Sequence, residues 1–258
     1  MKIGEPILDV RGISLSFKGV RAISDLSFSV GRGEIFALIG PNGAGKSSLL
    51  NVLNGVYIPD AGEIIFEGEH FHQIEPLAAA RRGIARTFQN NALFKKMSVL
   101  DNVLTGLARH TRSNFLAQGL RLPGARREEA QLRERAESIL EFLELQSYRD
   151  VIVGNLAYGI QKRVELGRAL VSVPTLLLLD EPLAGMNAHE KLEMSAFVSS
   201  VNNRLNTTIV LIEHDVGIVM SLSSHVVVLD YGRKISDGTP ADVQSNADVI
   251  AAYLGTVH

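Results

Sequence analysis

Residues 40–47 read G-P-N-G-A-G-K-S and satisfy the spacing G-x-x-x-x-G-K-[ST]. These residue types in this order can hold a polyphosphate. Gly40, Gly43 and Gly45 let backbone N–H groups close around phosphate oxygens, and a helix starting near Lys46 presents its positive end to them. Lys46 supplies a cation for the outer phosphates, and the Ser47 hydroxyl is placed to ligate Mg²⁺. Pro41, Asn42 and Ala44 fill the loop, and Ser48 continues into the helix. A second run, L-L-L-L-D-E at 176–181, ends an apolar strand in two acids. Asp180 would face Mg²⁺, normally through a water, and Glu181 could polarise an attacking water as general base. Many buried strands end in an acid, so this run is weak alone. Beside a phosphate loop it becomes specific.

The elements that must position these groups are legible nearby. Ile35-Phe-Ala-Leu-Ile39 before the loop, residues 176–179 before Asp180 and residues 209–212 before Glu213 are continuous apolar runs. Such runs suit strands covered on both faces, as in a parallel sheet with helices on each side and ligands at the carboxyl ends. The N-terminal segment differs. Ile13, Leu15 and Phe17 alternate with Ser14 and Ser16, and Leu26, Phe28 and Val30 alternate with Ser27 and Ser29. Period-two alternation predicts half-buried antiparallel strands. Between them and the acidic strand, Leu132, Ala136, Ile139, Leu140 and Leu143 fall on one helical face. Helices and loops are therefore expected over approximately 93–155, with Pro123-Gly124 breaking the run. Residues 226–229 and Lys234-Ile235 flank Asp230-Tyr-Gly-Arg233, a hairpin signal.

Composition narrows the function classes. The 258 residues carry a net charge of −2, with 46% hydrophobic and 21% charged residues, so no global basic field favours nucleic acid or an anionic membrane. The basic cluster from Arg121 to Arg135 is interleaved with Glu128, Glu129 and Glu134, which reads as a solvated helix face. There is no cysteine, which excludes disulfides, thiolate zinc and cysteine catalysis. The N-terminus lacks the apolar run of a signal peptide, and no stretch approaches the roughly 18 apolar residues of a membrane span. His70 and His72 form H-x-H, read as a surface pair; a half metal site is the alternative, with no Cys or further His nearby to complete it.

The loop and the acidic strand together specify a P-loop NTPase. The features around them specify more. Gln89 lies in Thr87-Phe-Gln, L-A-Y-G-I-Q-K-R at 156–163 precedes the acidic strand, residues 182–187 follow it, and His214 ends the next apolar run. In that order the chain resembles, over nearly its whole length, the ATP-binding subunit of an ABC transporter. The resemblance implies an α/β P-loop fold with an antiparallel β subdomain and a helical subdomain. It implies ATP and Mg²⁺ as ligands, with Phe17 stacking on adenine, Gln89 as a ligand of Mg²⁺ and water, and His214 touching the γ-phosphate. Phe17 as a plain strand-core residue stays open. Ala157, Tyr158 and Gly159 correspond to the signature that meets ATP bound by an opposite subunit.

Three positions depart from the usual L-S-G-G-Q: Ala157 replaces Ser, Tyr158 replaces the first Gly and Ile160 replaces Gln. By the resemblance, the loss of the Ser removes a hydroxyl contact to the γ-phosphate. The L-A-Y-G form, the turn Ala184-Gly-Met-Asn187 and the ending D-V-I-A-A-Y-L-G at 248–255 look like the branch serving uptake of branched-chain (hydrophobic) amino acids. That likeness implies a second ATP-binding subunit, two membrane permeases and an extracytoplasmic solute-binding protein, with this chain cytoplasmic and peripheral on the inner face of the membrane. An ATPase of a lipid- or lipopolysaccharide-extracting ABC transporter is the alternative; that family more often keeps L-S-G-G. Nucleic-acid-directed ABC ATPases carry paired cassettes or long coiled coils, and neither is present.

Overall fold

A computed structural model describes residues 6–88, 92–108 and 122–254. Two sheets organise it. Strands β1 (Pro6–Phe17), β2 (Val20–Gly31), β4 (Ala61–Phe66) and β5 (Glu69–Phe71) form an antiparallel sheet in the order β2-β1-β4-β5. The second sheet runs β10-β9-β3-β8-β7-β6, from β3 (Ile35–Ile39), β6 (Ile84–Arg86), β7 (Leu176–Asp180), β8 (Thr208–Ile212), β9 (His225–Asp230) and β10 (Arg233–Gly238). All of its pairings are parallel except β9 with β10. The three apolar runs are β3, β7 and β8, and every residue in them is buried.

Alternation explains how one strand serves two cores. Phe36 and Leu38 of β3 pack under the antiparallel sheet with helix α1 (Lys46–Leu53), which adds Leu49, Leu50 and Leu53. Ile35 faces the opposite side, with Leu177 and Leu179 of β7 and Ile209 and Leu211 of β8. There the cover comes from α3 (Val99–Thr105), α4 (Pro123–Phe142), α5 (Tyr158–Leu170) and α6 (Ala188–Leu205), all following the short α2 (Pro76–Arg81). Ala37 and Ile39 meet Val219 of α7 (Val216–Leu222), Val243 of α8 (Pro240–Ser245) and Val249 of α9 (Ala247–Leu254).

Three details differ from the sequence-based expectation. Strand β6 has three residues, too few for a pattern, and exists by pairing Ile84, Ala85 and Arg86 with β7. Strand β9 does form the expected hairpin, but it also extends the parallel sheet by pairing with β3. Pro123 opens α4 instead of breaking a run: it sits in the first turn, where its missing N–H costs nothing. Ala136, Ile139, Leu140 and Leu143 are buried as the helical face requires. Phe17 leaves the buried row of Ile13 and Leu15 and is 40% exposed at the end of β1, edge-on to Tyr57.

His225 ties the sheet's edge together. Its Nε2 lies 2.7 Å from Asp237 Oδ1 and its Nδ1 3.4 Å from Glu34 Oε1, while Lys234 bonds Asp237 at 2.6 Å and the ring packs edge-on to Phe36. Hydrogen bonds to Glu34 and Asp237 raise the imidazole above its ordinary 6.5 against the opposing pull of burial. A folded-state value above the unfolded one adds stability below about pH 6.5 that disappears as pH rises through the folded value. Thermal unfolding of His225→Gln should therefore show a deficit against the parent at about pH 5.5 that shrinks by about pH 9. An equal deficit at both would assign the residue to packing alone.

Candidate functional site

The loop at 40–47 joins the end of β3 to α1, as its spacing requires. Gly40 takes φ +146°, and a Cβ there would stand 2.0 Å from the carbonyl oxygen of Leu229. Only glycine fits so close to a neighbouring strand. Gly45 is the left-handed N-cap of α1 with no side-chain cap, so the first-turn N–H groups are left for a ligand. Asn42 and Gly43 are exposed, Pro41, Ser47 and Ser48 half-buried, and Ala44 buried. Lys46 is buried, and its Nζ donates to the carbonyl oxygens of Gly40 at 2.6 Å and Pro41 at 2.9 Å. Burial lowers its pKa, and the charges of Glu181 and Asp180 pull it back up.

Strand register brings the acids to this loop. Leu38 of β3 pairs with Ile212 of β8, and Ile212 pairs with Asp180 of β7. Three strands thus end in one row, and the residues that follow (Ile39-Gly40, Glu213-His214 and Glu181) emerge on the same edge. Asp180 is buried, with Oδ2 accepting from Arg86 at 2.8 Å. Its other oxygen, Oδ1, is buried and has no hydrogen-bond partner among the described residues. Glu181 has φ +49°, and its N–H donates to Ile212 O at 2.9 Å. That turn aims its carboxylate at His214, with Oε1 2.5 Å from Nε2.

The signature residues open α5. Ala157 caps α5 without a side-chain bond, and Gly159 lies so close to α6 that a Cβ would meet Glu190 Oε1 at 2.6 Å. Tyr158 is 41% exposed and lies over Gly185. Gln89 falls outside the described residues. Its neighbour Phe88 donates its N–H to Glu165 of α5 at 3.1 Å, and Arg168 of α5 donates to Ala92 O at 2.7 Å. His70 and His72 bond separately, to Glu63 and to Gly62 O.

Comparison with known proteins bears on this constellation. The family described as ABC transporter matches residues 23–184, and one described as branched-chain amino acid ATP-binding cassette transporter matches 233–258. The chain belongs to the ABC transporter family. It is 40% identical over 253 residues to the high-affinity branched-chain amino acid transport ATP-binding protein BraF of Pseudomonas aeruginosa, covering 98% of this chain and 99% of that one. It is 38% identical, with the same coverage, to LivG of Escherichia coli, which carries the same description. Among solved structures, an ATP-binding cassette of an ABC transporter in its ADP conformation superposes with TM-score 0.85 at 33% identity, covering 97% and 99% of the two chains. A nucleotide-free cassette from an ABC transporter gives 0.84 at 32%, covering 96% and 99%.

Within this ABC cassette, several participants escaped sequence reasoning. Arg86 carries no motif of its own and becomes visible only through β6. Glu213 accepts from Leu183 N at 2.7 Å and His214 N at 3.1 Å, tying the segment after Glu181 to the end of β8. Burial pushes its carboxyl above the ordinary range, opposed by those two N–H groups. Tyr253 of α9 reaches the backbone of Gly40, and burial raises its phenol above the ordinary range despite that hydrogen bond. Glu213 was visible only as the residue ending the third apolar run, and Tyr253 only as part of the ending at 248–255.

Ala157 has the extended conformation of an N-cap, φ −58° and ψ 150°, but nothing to accept with. A serine there would accept from the helix's first turn, typically worth about 0.5–2 kcal/mol. Ala157→Ser should raise the melting temperature. A fall would mean that Tyr158 or Glu190 resists the hydroxyl.

Proposed function

We propose that this chain is the ATP-hydrolysing subunit of an ABC importer for branched-chain or other hydrophobic amino acids, or related small solutes. The observation that carries the chemistry is the convergence of Lys46, Asp180 and the Glu181–His214 pair on one edge of a sheet. The solute class rests on the kinship to BraF and LivG and on the match at 233–258, which favours this branch over the lipid-extracting alternative.

The roles follow from the groups. Phe17, exposed at the end of β1, stacks on adenine. The loop from Gly40 to Ser48 wraps the phosphates through backbone N–H groups, and Lys46 exchanges its two carbonyl contacts for phosphate oxygens. Ser47, Gln89 and Asp180 hold Mg²⁺, and the unpartnered buried Oδ1 of Asp180 suits that charge. When bound, the ion neutralises charge on the outer phosphates. Glu181 accepts a proton from the attacking water as that water's oxygen bonds to the γ-phosphorus and the bond to the bridging oxygen breaks, releasing ADP. His214 fixes the Glu181 carboxylate and contacts the γ-phosphate. Ala157, Tyr158 and Gly159 complete the site of a facing subunit, with Gly159 offering an N–H where the usual serine hydroxyl is missing.

The assembly comprises a second ATP-binding subunit, two membrane permeases and an extracytoplasmic solute-binding protein, with no nucleic acid. The helices over approximately 93–155 act as a subdomain that links ATP-driven closure to the permease. Among the described residues no helix is long and apolar enough to cross a membrane. The proposed role makes the chain a peripheral subunit on the cytoplasmic face.

Glu181→Gln should keep ATP affinity, because the amide preserves shape, and should slow hydrolysis in the assembled transporter by about 10²–10⁴-fold. Phosphate release assays decide it. Turnover near that of the parent would contradict the role given to Glu181.

A further inference from the structure

A guanidinium outside the catalytic motifs sits at the junction of three elements. Arg86, the last residue of β6, has a side chain only 6% exposed, beside the 3% exposed side chain of Asp180. One arm donates to Asp180 Oδ2 at 2.8 Å, and the other donates to Asn51 Oδ1 at 2.6 Å on α1, the helix that Lys46 opens. Its Cζ lies 5.4 Å from the ring centre of Phe88. The fork therefore joins the end of β7 to the phosphate-loop helix and packs on the residue before Gln89. A planar guanidinium can span two acceptors in fixed directions, which a lysine ammonium cannot.

The pairing is one-sided. Arg86 takes Oδ2 and leaves Oδ1 as the buried oxygen without a partner. An oxygen already accepting from Arg86 has one acceptor site fewer for a metal's water shell, and a carboxylate held by neither oxygen could turn about its Cβ–Cγ bond. We infer that Arg86 is a positioning residue of the magnesium site: by holding Asp180 Oδ2 and Asn51 Oδ1 together, it fixes Oδ1 of Asp180 as the oxygen that serves the metal, at a set place relative to the phosphate loop. The inference rests on the reading of Asp180 as a metal-side acid. Arg86 acts through its hydrogen-bond partners Asp180 and Asn51.

The test separates metal-dependent from metal-independent ATP binding. Calorimetric titration with ATP in EDTA and in Mg²⁺ gives a ratio of dissociation constants for each full-length variant. Asp180→Asn should collapse this ratio; if it does not, the metal-side reading of Asp180 fails first. Arg86→Met keeps bulk without charge and should leave affinity in EDTA unchanged. It should lower the magnesium enhancement roughly tenfold, the order expected when one partner of a charged buried hydrogen bond is removed. Arg86→Lys, with charge but no fork, should fall between. If Arg86→Met does not fold, Asn51→Ala frees one arm of the fork and should lower the same ratio several-fold. An unchanged or larger enhancement in whichever of these folds, with Asp180→Asn collapsed, would overturn the inference: the guanidinium would then only pack, or only repel the ion.

Discussion

Backbone hydrogen bonding across three buried strands sets the positions of everything else. The row Leu38–Ile212–Asp180 is a matter of register, and a slip of one residue would turn β7 over and send Asp180 to the other face. Burial on both faces makes such a slip expensive, because Leu177 and Leu179 serve one core while Leu176 and Leu178 serve another. The loop, Glu181 and His214 inherit their places from that row. Gly40 then has to pass within a carbonyl's width of β9, which ties the loop to a fourth strand.

This geometry crowds charge. Lys46, Asp180, Glu181 and Glu213 are all buried at one edge, where unpaired ions are costly. The molecule answers with partners of different kinds. Lys46 turns to carbonyl oxygens, Asp180 to Arg86, Glu181 to His214 and Glu213 to two backbone N–H groups. Burial moves Lys46 and Glu213 towards their neutral forms. On the proposed function a triphosphate with its metal would bring charge of both signs to this edge, which would couple ligand binding to the protein's internal pairings through the same few groups.

How much could be read beforehand follows from what each element depends on. The strands β3, β7 and β8 announce themselves because burial on two faces demands an uninterrupted apolar run. The phosphate loop does so because close backbone approach demands glycine at fixed places. Strand β6 is silent: three residues hold no period, and only pairing with β7 makes them a strand. Arg86 is silent for the same reason, since its acceptors lie 35 and 94 residues away in the chain. Pro123 misleads because proline is equally at home breaking a helix and opening one. Phe17 shares the alternation of Ile13 and Leu15, yet it ends outside the row because the strand stops there.

Every role proposed above depends on ATP binding at the edge around the Gly40 loop. Titration calorimetry of ATP with Mg²⁺ into the folded protein and into Lys46→Ala addresses it without any transport assay. Removing the one cation of the loop should abolish measurable binding or weaken it strongly, while the melting temperature of the free protein changes little. Unchanged affinity in a folded Lys46→Ala protein would place the nucleotide elsewhere and contradict the account.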